Sequence, residues 1–349
     1  MTPERPAADL ALERAAEAGI HRLAIPTPFA VGRVNTYLIE DEPLTLVDSG
    51  PNSAKALDEL ERGLAARGHA IEDLDLLLVS HQHIDHVGLL NILSRRSGAE
   101  VAALDLLVPY LSRYGGRAEQ DDEFAEEIMR RHGVPDDVVY ALRSVSRAFR
   151  AWGSSAQVDR VLHDGESLAL QNRTLQVLHR PGHSPTDTVF WDAERRILLA
   201  ADHLIGHISS NPLITRPPDD NGGPDGRRPL ALVMYLESLR ATRELPAELV
   251  LPGHGEPITD HVRVIDERFR LHRRRADKIY RLIAERPRTA YEIAHALWGN
   301  VAVTQAYLTL SEVLGHVDLL VNEDRVRETE AEEGSVRFEA LQEVRRRSG

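Results

Sequence analysis

The sequence predicts an α/β protein in which short buried strands deliver polar side chains to one rim. Three observations predict it. His81, His83, Asp85 and His86 crowd into six residues as His-x-His-x-Asp-His, two residues beyond the apolar run Leu74-Asp-Leu-Leu-Leu-Val79. Three more apolar runs end in the same way. Thr174 to Leu178 leads to Pro181-Gly182-His183-Ser184, Arg196 to Leu199 leads to Asp202-His203, and Leu249 to Leu251 leads to Pro252-Gly253-His254-Gly255. Between these runs lie segments of helical period, so strands and helices alternate. Short apolar runs bounded by turn residues read as buried strands. Groups on strand ends can be held to the tolerance that a reactive site needs.

Residues 1–20 form an amphipathic lead-in, and residues 21–50 alternate apolar and polar through Asn35-Thr36-Tyr37-Leu38-Ile39, as antiparallel strands do. Pro51 to Gly68 carries Ala54, Leu57, Leu60 and Leu64 at helical spacing, and Gly88 to Ser97 is a second helix after the ligand motif. From about 106 to 162 runs a helical insertion of mixed charge, with helices at 124–132 and 138–152. Its two readings are a solvated decoration and a cap that shapes a substrate pocket; length and apolar content favour the cap. Pro212 to Arg228 is a loop rich in Pro, Gly and Asp. A helix from about Asp260 to Ile283 carries Arg268, Arg270, Arg273, Arg274, Arg275, Lys278 and Arg281, read as a solvated face or one paired with Asp266, Glu267 and Asp277. A short helix at Thr289 to Trp298, a longer one at Val303 to Val321 and a hairpin across Asn322 to Phe338 follow. The expected division is therefore 1–264 for a catalytic domain and 265–349 for a small one.

The chemistry starts from the ligand types. Imidazoles mixed with carboxylates suit zinc and similar ions. In an extended or turn segment, His81 and His83 would face one ion while Asp85 and His86 face a second. With no cysteine in the chain, neither disulfides nor thiolate ligands enter, and any site is built of His and Asp.

Taken in order, these motifs resemble the metallo-β-lactamase superfamily over residues from about 31 to 258. The resemblance implies an αββα sandwich. It also implies that His81, His83 and His183 bind a first metal, that Asp85, His86 and His254 bind a second, and that Asp202 bridges the two. Asp48, in Leu46-Val47-Asp48-Ser49-Gly50, matches the early Asp that orients ligands from beneath the site. The implied cofactor is two divalent ions per chain, zinc first, with iron or manganese admitted by the same ligand set. Asp85 and Asp202 are the catalytic carboxylates, placed to orient a metal-activated hydroxide. His203 reads as structural, His207 as reaching the pocket, Ser209, Ser210 and Asn211 as lining a groove, and Asp187 as a bystander.

The helix-helix-helix-hairpin order of the last 85 residues resembles the winged-helix domain of a branch that includes β-lactamase-like endoribonucleases and glyoxalase II-like thioester hydrolases. Charge decides between them. The formal balance is 42 − 55 = −13. The would-be recognition helix 303–321 has no Lys or Arg, and residues 322–339 hold seven acids against three arginines. Phosphate backbones need surface cations, so nucleic acid is not an expected partner, and the small domain reads as a packing or homodimerisation module. Arg216, Arg227 and Arg228 are the nearest cationic candidates, but they share their loop with Asp219, Asp220 and Asp225. The expected reaction is hydrolysis of a small acyl thioester or ester. Single-stranded RNA cleavage is the alternative, followed by lactone hydrolysis and a non-enzymatic metal-binding role; a glutathione substrate and β-lactams are disfavoured. The N-terminus has no apolar leader and no run approaches the roughly 18 residues of a membrane span, so a cytoplasmic location is expected.

Overall fold

The computed structural model describes residues 7–217, 228–331 and 334–341. Its first sheet has the order β1 (Ile20–Ile25), β2 (Val34–Ile39), β3 (Thr45–Val47), β4 (Leu76–Val79), β5 (Glu100–Leu104) and β6 (Arg160–Leu162). The first three strands are antiparallel neighbours and the rest pair in parallel from β3 onward. The second sheet runs β11 (Leu249–Pro252), β10 (Ile197–Ala201), β9 (Thr188–Asp192), β8 (Thr174–His179) and β7 (Ser167–Ala169), antiparallel except for the β10–β11 pair.

The period-two alternation of the strands explains the layers. Along β10, Ile197 and Leu199 enter the core between the sheets, while Leu198 and Ala200 face the opposite way. There they meet Leu232, Tyr235, Leu236 and Leu239 of α8 (Ala231–Arg243) and Val264 and Ile265 of α9 (His261–Glu285). The first sheet is backed by Ala56, Leu60 and Leu64 of α2 (Ala54–Ala65), the predicted helix, whose N-terminus is capped by Ser53. An amphipathic α1 (Ala7–Glu17) buries Ala11 and Ala15 in the same core. The result is the helix–sheet–sheet–helix sandwich expected from the resemblance.

The helix expected from Gly88 to Ser97 is α4 (Leu90–Ser97), and a short α3 (Ile84–Val87), which the sequence did not announce, lies within the ligand motif before it. The insertion is helical, as α5 (Val108–Ser112), α6 (Tyr114–Arg131) and α7 (Asp136–Phe149), but it ends earlier than predicted. Arg160–Leu162, the last three residues assigned to it, is β6 and pairs with β5. Its tail is pinned beside the ligand motif: Ser154 Oγ donates to the Gly88 carbonyl at 2.9 Å and Asn52 N to that of Trp152 at 2.7 Å. A Cβ at Gly88 would collide with the Trp152 oxygen, so only glycine admits this approach.

The C-terminal elements are α10 (Ala290–Trp298), α11 (Val301–Thr304), α12 (Ala306–Asn322) and the antiparallel pair β12 (Val326–Glu330) and β13 (Val336–Ala340). The single helix expected at 303–321 is broken at Gln305 (φ −128°, ψ 41°). A capping box of Thr289 and Glu292 starts α10. One apolar cluster joins Ile128, Met129, Val134 and Val139 of the insertion to Ala276, Ile279 and Ile283 of α9 and to Leu310, Leu314 and Phe338. Helix α9 thus serves two cores: Val264 and Ile265 lie under the second sheet, and its later residues lie among the C-terminal elements. No helix among the described residues is long and apolar enough to cross a membrane.

Candidate metal centre

All four ligand-bearing segments leave their sheets at the same rim. The turn after β4 carries His81 and His83, α3 carries Asp85 and His86, the turn after β8 carries His183, and the turn after β11 carries His254. Asp202 follows β10, whose register against β11 shifts between Leu199 and Ala201; Ala201 takes a left-handed φ of 42° that swings the chain toward the site. Ligand atoms of His81, His83, His183 and Asp202 lie within 4.8 Å of one another, as do those of Asp85, His86 and His254. His83 Nδ1 is 3.1 Å from His81 Nε2 and 2.9 Å from His183 Nε2. His254 Nε2 lies 3.3 Å from Asp85 Oδ2 and 3.5 Å from Asp202 Oδ2. Asp202 also stands 3.5 Å from His183 Nε2 and from His86 Nε2, so it touches both groups.

The far side of four of the five rings is held by oxygen. His86 Nδ1 donates to Asp48 Oδ2 at 2.7 Å, His254 Nδ1 to the Arg33 carbonyl at 2.8 Å, His183 Nδ1 to the Asn211 carbonyl at 3.3 Å, and His81 Nδ1 to Ser80 Oγ at 2.9 Å. These contacts fix the tautomers and leave the inner nitrogens as lone-pair donors, the arrangement that metal-binding imidazoles adopt. Asp48 also accepts from Ser80 N and Ser80 Oγ, at 2.9 and 2.7 Å, which ties two ligand segments to one buried carboxylate. Two inner atoms, His86 Nε2 and Asp202 Oδ1, are buried without a hydrogen-bond partner. Such orphaned atoms cost free energy unless something else satisfies them. A divalent cation fits both the donor set and the orphaned atoms.

Electrostatics divides the site. Burial pushes His81 well below the ordinary imidazole value and His83 down to about 3, with neighbouring imidazoles adding to the effect. Burial also opposes charge on His86 and His254, but the Asp202 and Asp48 carboxylates outweigh it at His86 and hold it well above the ordinary value. Asp202 and Asp85 likewise carry His254 up to about 9. Asp202 itself, despite burial, is held well below the usual carboxylate range by His86 and His254. Ions binding here would displace protons.

Several supporting residues escaped the sequence reading. Gln82, the spacer in His-x-His, accepts from Ser184 Oγ at 3.0 Å and from Thr186 Oγ1, clamping two ligand loops together. Asp187, expected to stand outside the ligand set, is in neither ligand group, yet it is 2% exposed, accepts from Ser184 N at 2.9 Å, and burial pushes its carboxyl up to about 6. Asn35 donates to the carbonyls of Pro252 and Gly255, both at 2.9 Å, setting the His254 turn. A Cβ at Gly253 would collide with Asp202 Oδ1, so the ligand passes directly over bare backbone.

The residues expected to line a groove do something else. Ser210 is buried and donates to the Asp202 carbonyl, and Asn211 joins His183 to the Leu308 carbonyl, 3.2 Å from its Nδ2. Ser209 Oγ lies 3.3 Å from His272 Nε2. His203 is structural as expected, buried with Nε2 2.8 Å from Thr242 Oγ1. His207 is exposed beside the His254 turn, where a Cβ on Gly255 would meet its ring at 2.6 Å. Among the helix arginines, Arg268 is buried rather than solvated: its Nη2 donates to the carbonyls of Ile205, Gly206 and Ile208 at 2.9–3.1 Å. The acids expected to pair with that cluster pair with Arg243, Arg263 and Arg325. Arg216 reaches Asp121 and Arg228 bridges Asp318 and Glu328, whereas Arg227 and its neighbouring acids lie outside the described residues.

The Metallo-beta-lactamase superfamily matches residues 30–254 of this chain, which span His81, His83, Asp85, His86, His183, Asp202 and His254. The chain belongs to that superfamily. It is 32% identical to the "Probable metallo-hydrolase YqjP" of Bacillus subtilis (strain 168) over 305 residues, covering 87% of this chain and 92% of that protein. It is 23% identical over 262 residues to the "Beta-lactamase-like protein 2 homolog" of Caenorhabditis elegans, covering 74% and 68%. Among solved structures, a metallo-beta-lactamase family protein of Thermus thermophilus superposes with a TM-score of 0.75 at 25% identity, covering 93% of this chain and 99% of that one. A beta-lactamase domain protein from Burkholderia ambifaria gives 0.77 at 23% identity, covering 93% and 92%, a likeness of fold. The superfamily and its metallo-hydrolase relative support a metal-dependent hydrolase.

Proposed function

We propose that this superfamily member is a binuclear hydrolase of acyl thioesters or esters. His81, His83 and His183 would hold one divalent ion, Asp85, His86 and His254 the other, and Asp202 both, with zinc as the first candidate. Bound there, the ions would supply an activated water near neutral pH and polarise the acyl oxygen. The chain's own groups do the rest. Asp48, Ser80 and the Arg33 and Asn211 carbonyls orient the imidazoles, Gln82 and Asp187 fix the His183 loop, and Asp85 and Asp202 are placed to orient the water and hold its proton.

The observation that carries the substrate class is the character of the segments flanking the rim. Phe29, in the loop whose Arg33 carbonyl holds His254, packs 5.5 Å from Phe149 of the insertion. Ile208 and Leu308, on either side of the Asn211 bridge, keep 39% and 40% of their surface exposed. Apolar side chains of this kind suit an acyl chain. RNA would need a cationic track, and Arg216 and Arg228 are engaged with Asp121, Asp318 and Glu328. The pinned tail of the insertion supports its role as a cap. Residues 265–349, from within α9 onward, would form a winged-helix-like module whose charge suits packing or homodimerisation rather than DNA.

A hydrolysis panel on metal-reconstituted full-length protein, with acyl thioesters of graded chain length, lactones and single-stranded RNA, tests the reading. Turnover that rises with acyl chain length is expected. RNA cleavage with thioesters untouched would replace it by the ribonuclease alternative.

A further inference from the structure

Buried imidazoles also meet away from the rim, where α9 crosses α12. We propose that His272, Glu312 and His316 form a third metal site, suited to a zinc-class divalent ion and independent of the hydrolytic reading. Glu312 and His316 are four residues apart on α12 and so share a face, while His272 comes from α9. The two histidines are 2% and 0% exposed, and one ligand atom from each of the three residues lies within 4.8 Å of the others. Each ring is anchored through one nitrogen: His316 Nδ1 donates to the Glu312 carbonyl at 2.6 Å, and His272 Nε2 lies 3.3 Å from Ser209 Oγ.

The remaining nitrogens, His272 Nδ1 and His316 Nε2, face each other at 3.1 Å. That equals the 3.1 Å between His81 Nε2 and His83 Nδ1 in the rim. Two nitrogens on one tetrahedral zinc, each about 2.0–2.1 Å from it, stand roughly 3.3 Å apart. Two imidazoles and one carboxylate leave a fourth position for water.

Charge sets the rank of this site. Arg275 reaches Glu312 Oε1 at 3.4 Å and stacks over Trp298, so a cation stands beside the carboxylate. The rim has Asp85 and Asp202 among its ligands, and this cluster has one acid. An ion here therefore binds after the rim is filled and leaves first. The competing arrangement is a closed chain in which Ser209 donates to His272 and His272 to His316, with no ion.

Chelator-stripped full-length protein titrated with zinc, read by calorimetry and by elemental analysis after gel filtration, separates the two. Three equivalents are expected, the third weaker than the others by tenfold or more and raising the thermal midpoint. Glu312→Gln should bind two, and its midpoint should ignore further zinc. An Asp202→Ala/His86→Ala background should keep an equivalent that Glu312→Gln then removes. Saturation of the wild type at two equivalents, or a third equivalent surviving Glu312→Gln, overturns the site. Neither result depends on which substrate the rim hydrolyses.

Discussion

Two sets of buried histidines in this molecule differ in their company, and that company decides what they are. At the rim, His86 and His254 stand against Asp48, Asp85 and Asp202, and the carboxylates lift them despite burial. In the core shared by the insertion and the C-terminal helices, His132 stacks on Phe338 at 5.9 Å and is driven down to about 3 by burial, aided by Arg228 and Arg131. The same side chain is thus a proton-bearing partner of acids in one place and a neutral aromatic in the other. Acids hold these two rim imidazoles charged, whereas the apolar setting of His132 keeps its ring neutral.

The severest challenge to that contrast is Asp202→Ala, because this carboxylate serves both halves of the rim. Activity should fall on the order of a thousandfold or more, about 4 kcal/mol of barrier, and metal content should drop below two ions per chain. Asp187→Asn should cost less, through loosening of the His183 loop; an equal loss of bound metal would show that Asp202 is not the bridge. Gly253→Ala comes next. Its new methyl must displace Asp202 or His86, and a shift of about 1 Å should cost on the order of a hundredfold in turnover; wild-type kinetics would mean that the carboxylate sits elsewhere when ions are bound.

Asp48→Ala sharpens the comparison within the rim. It removes the acceptor from His86 directly and touches His81 only through Ser80, so chelator competition should show the ion at His86 weakened about 10–100-fold and the other by less. Equal weakening of both would deny the division. The smallest effect belongs to the second core. A folded-state pKa of about 3 for His132, against the ordinary 6.5, means that the unfolded chain binds the proton first. Stability is therefore complete above pH 6.5 and declines as pH falls from there toward 3, by a few kcal/mol at most. His132→Phe keeps the stacking and should flatten the acid limb of the unfolding midpoint against pH. Parallel curves for the two proteins would remove His132 as the cause.

The ligands were legible because they are locally encoded: an apolar run, then a turn, then an imidazole or carboxylate, four times over. The supports were not, because their meaning lies in distant partners. Gln82 reads as filler until Ser184 and Thr186, more than a hundred residues on, return to it. Asn35 acts on carbonyls of Pro252 and Gly255, and Asp187 gains its weight only through burial. Periodicity also cannot see a single non-helical residue such as Gln305, nor that Arg160–Leu162 completes a sheet edge opened much earlier in the chain. Ser209 to Asn211 look like substrate contacts by proximity in sequence, yet the structure uses them to fasten the Asp202 loop to α9 and α12.

Arg268 has a consequence for how the protein is made. Its guanidinium holds the carbonyls of Ile205, Gly206 and Ile208, the segment that leaves Asp202, from a position about sixty residues later. A nascent chain that has reached residue 264 already contains His81, His83, Asp85, His86, His183, Asp202 and His254, but not this clasp. Because chain segments emerge in order during synthesis, the loop after Asp202 gains this clasp only after α9 has been made. A polypeptide shortened to the part that bears the candidate ligands would be whole in its chemistry and would lack three hydrogen bonds that shape its Asp202 loop.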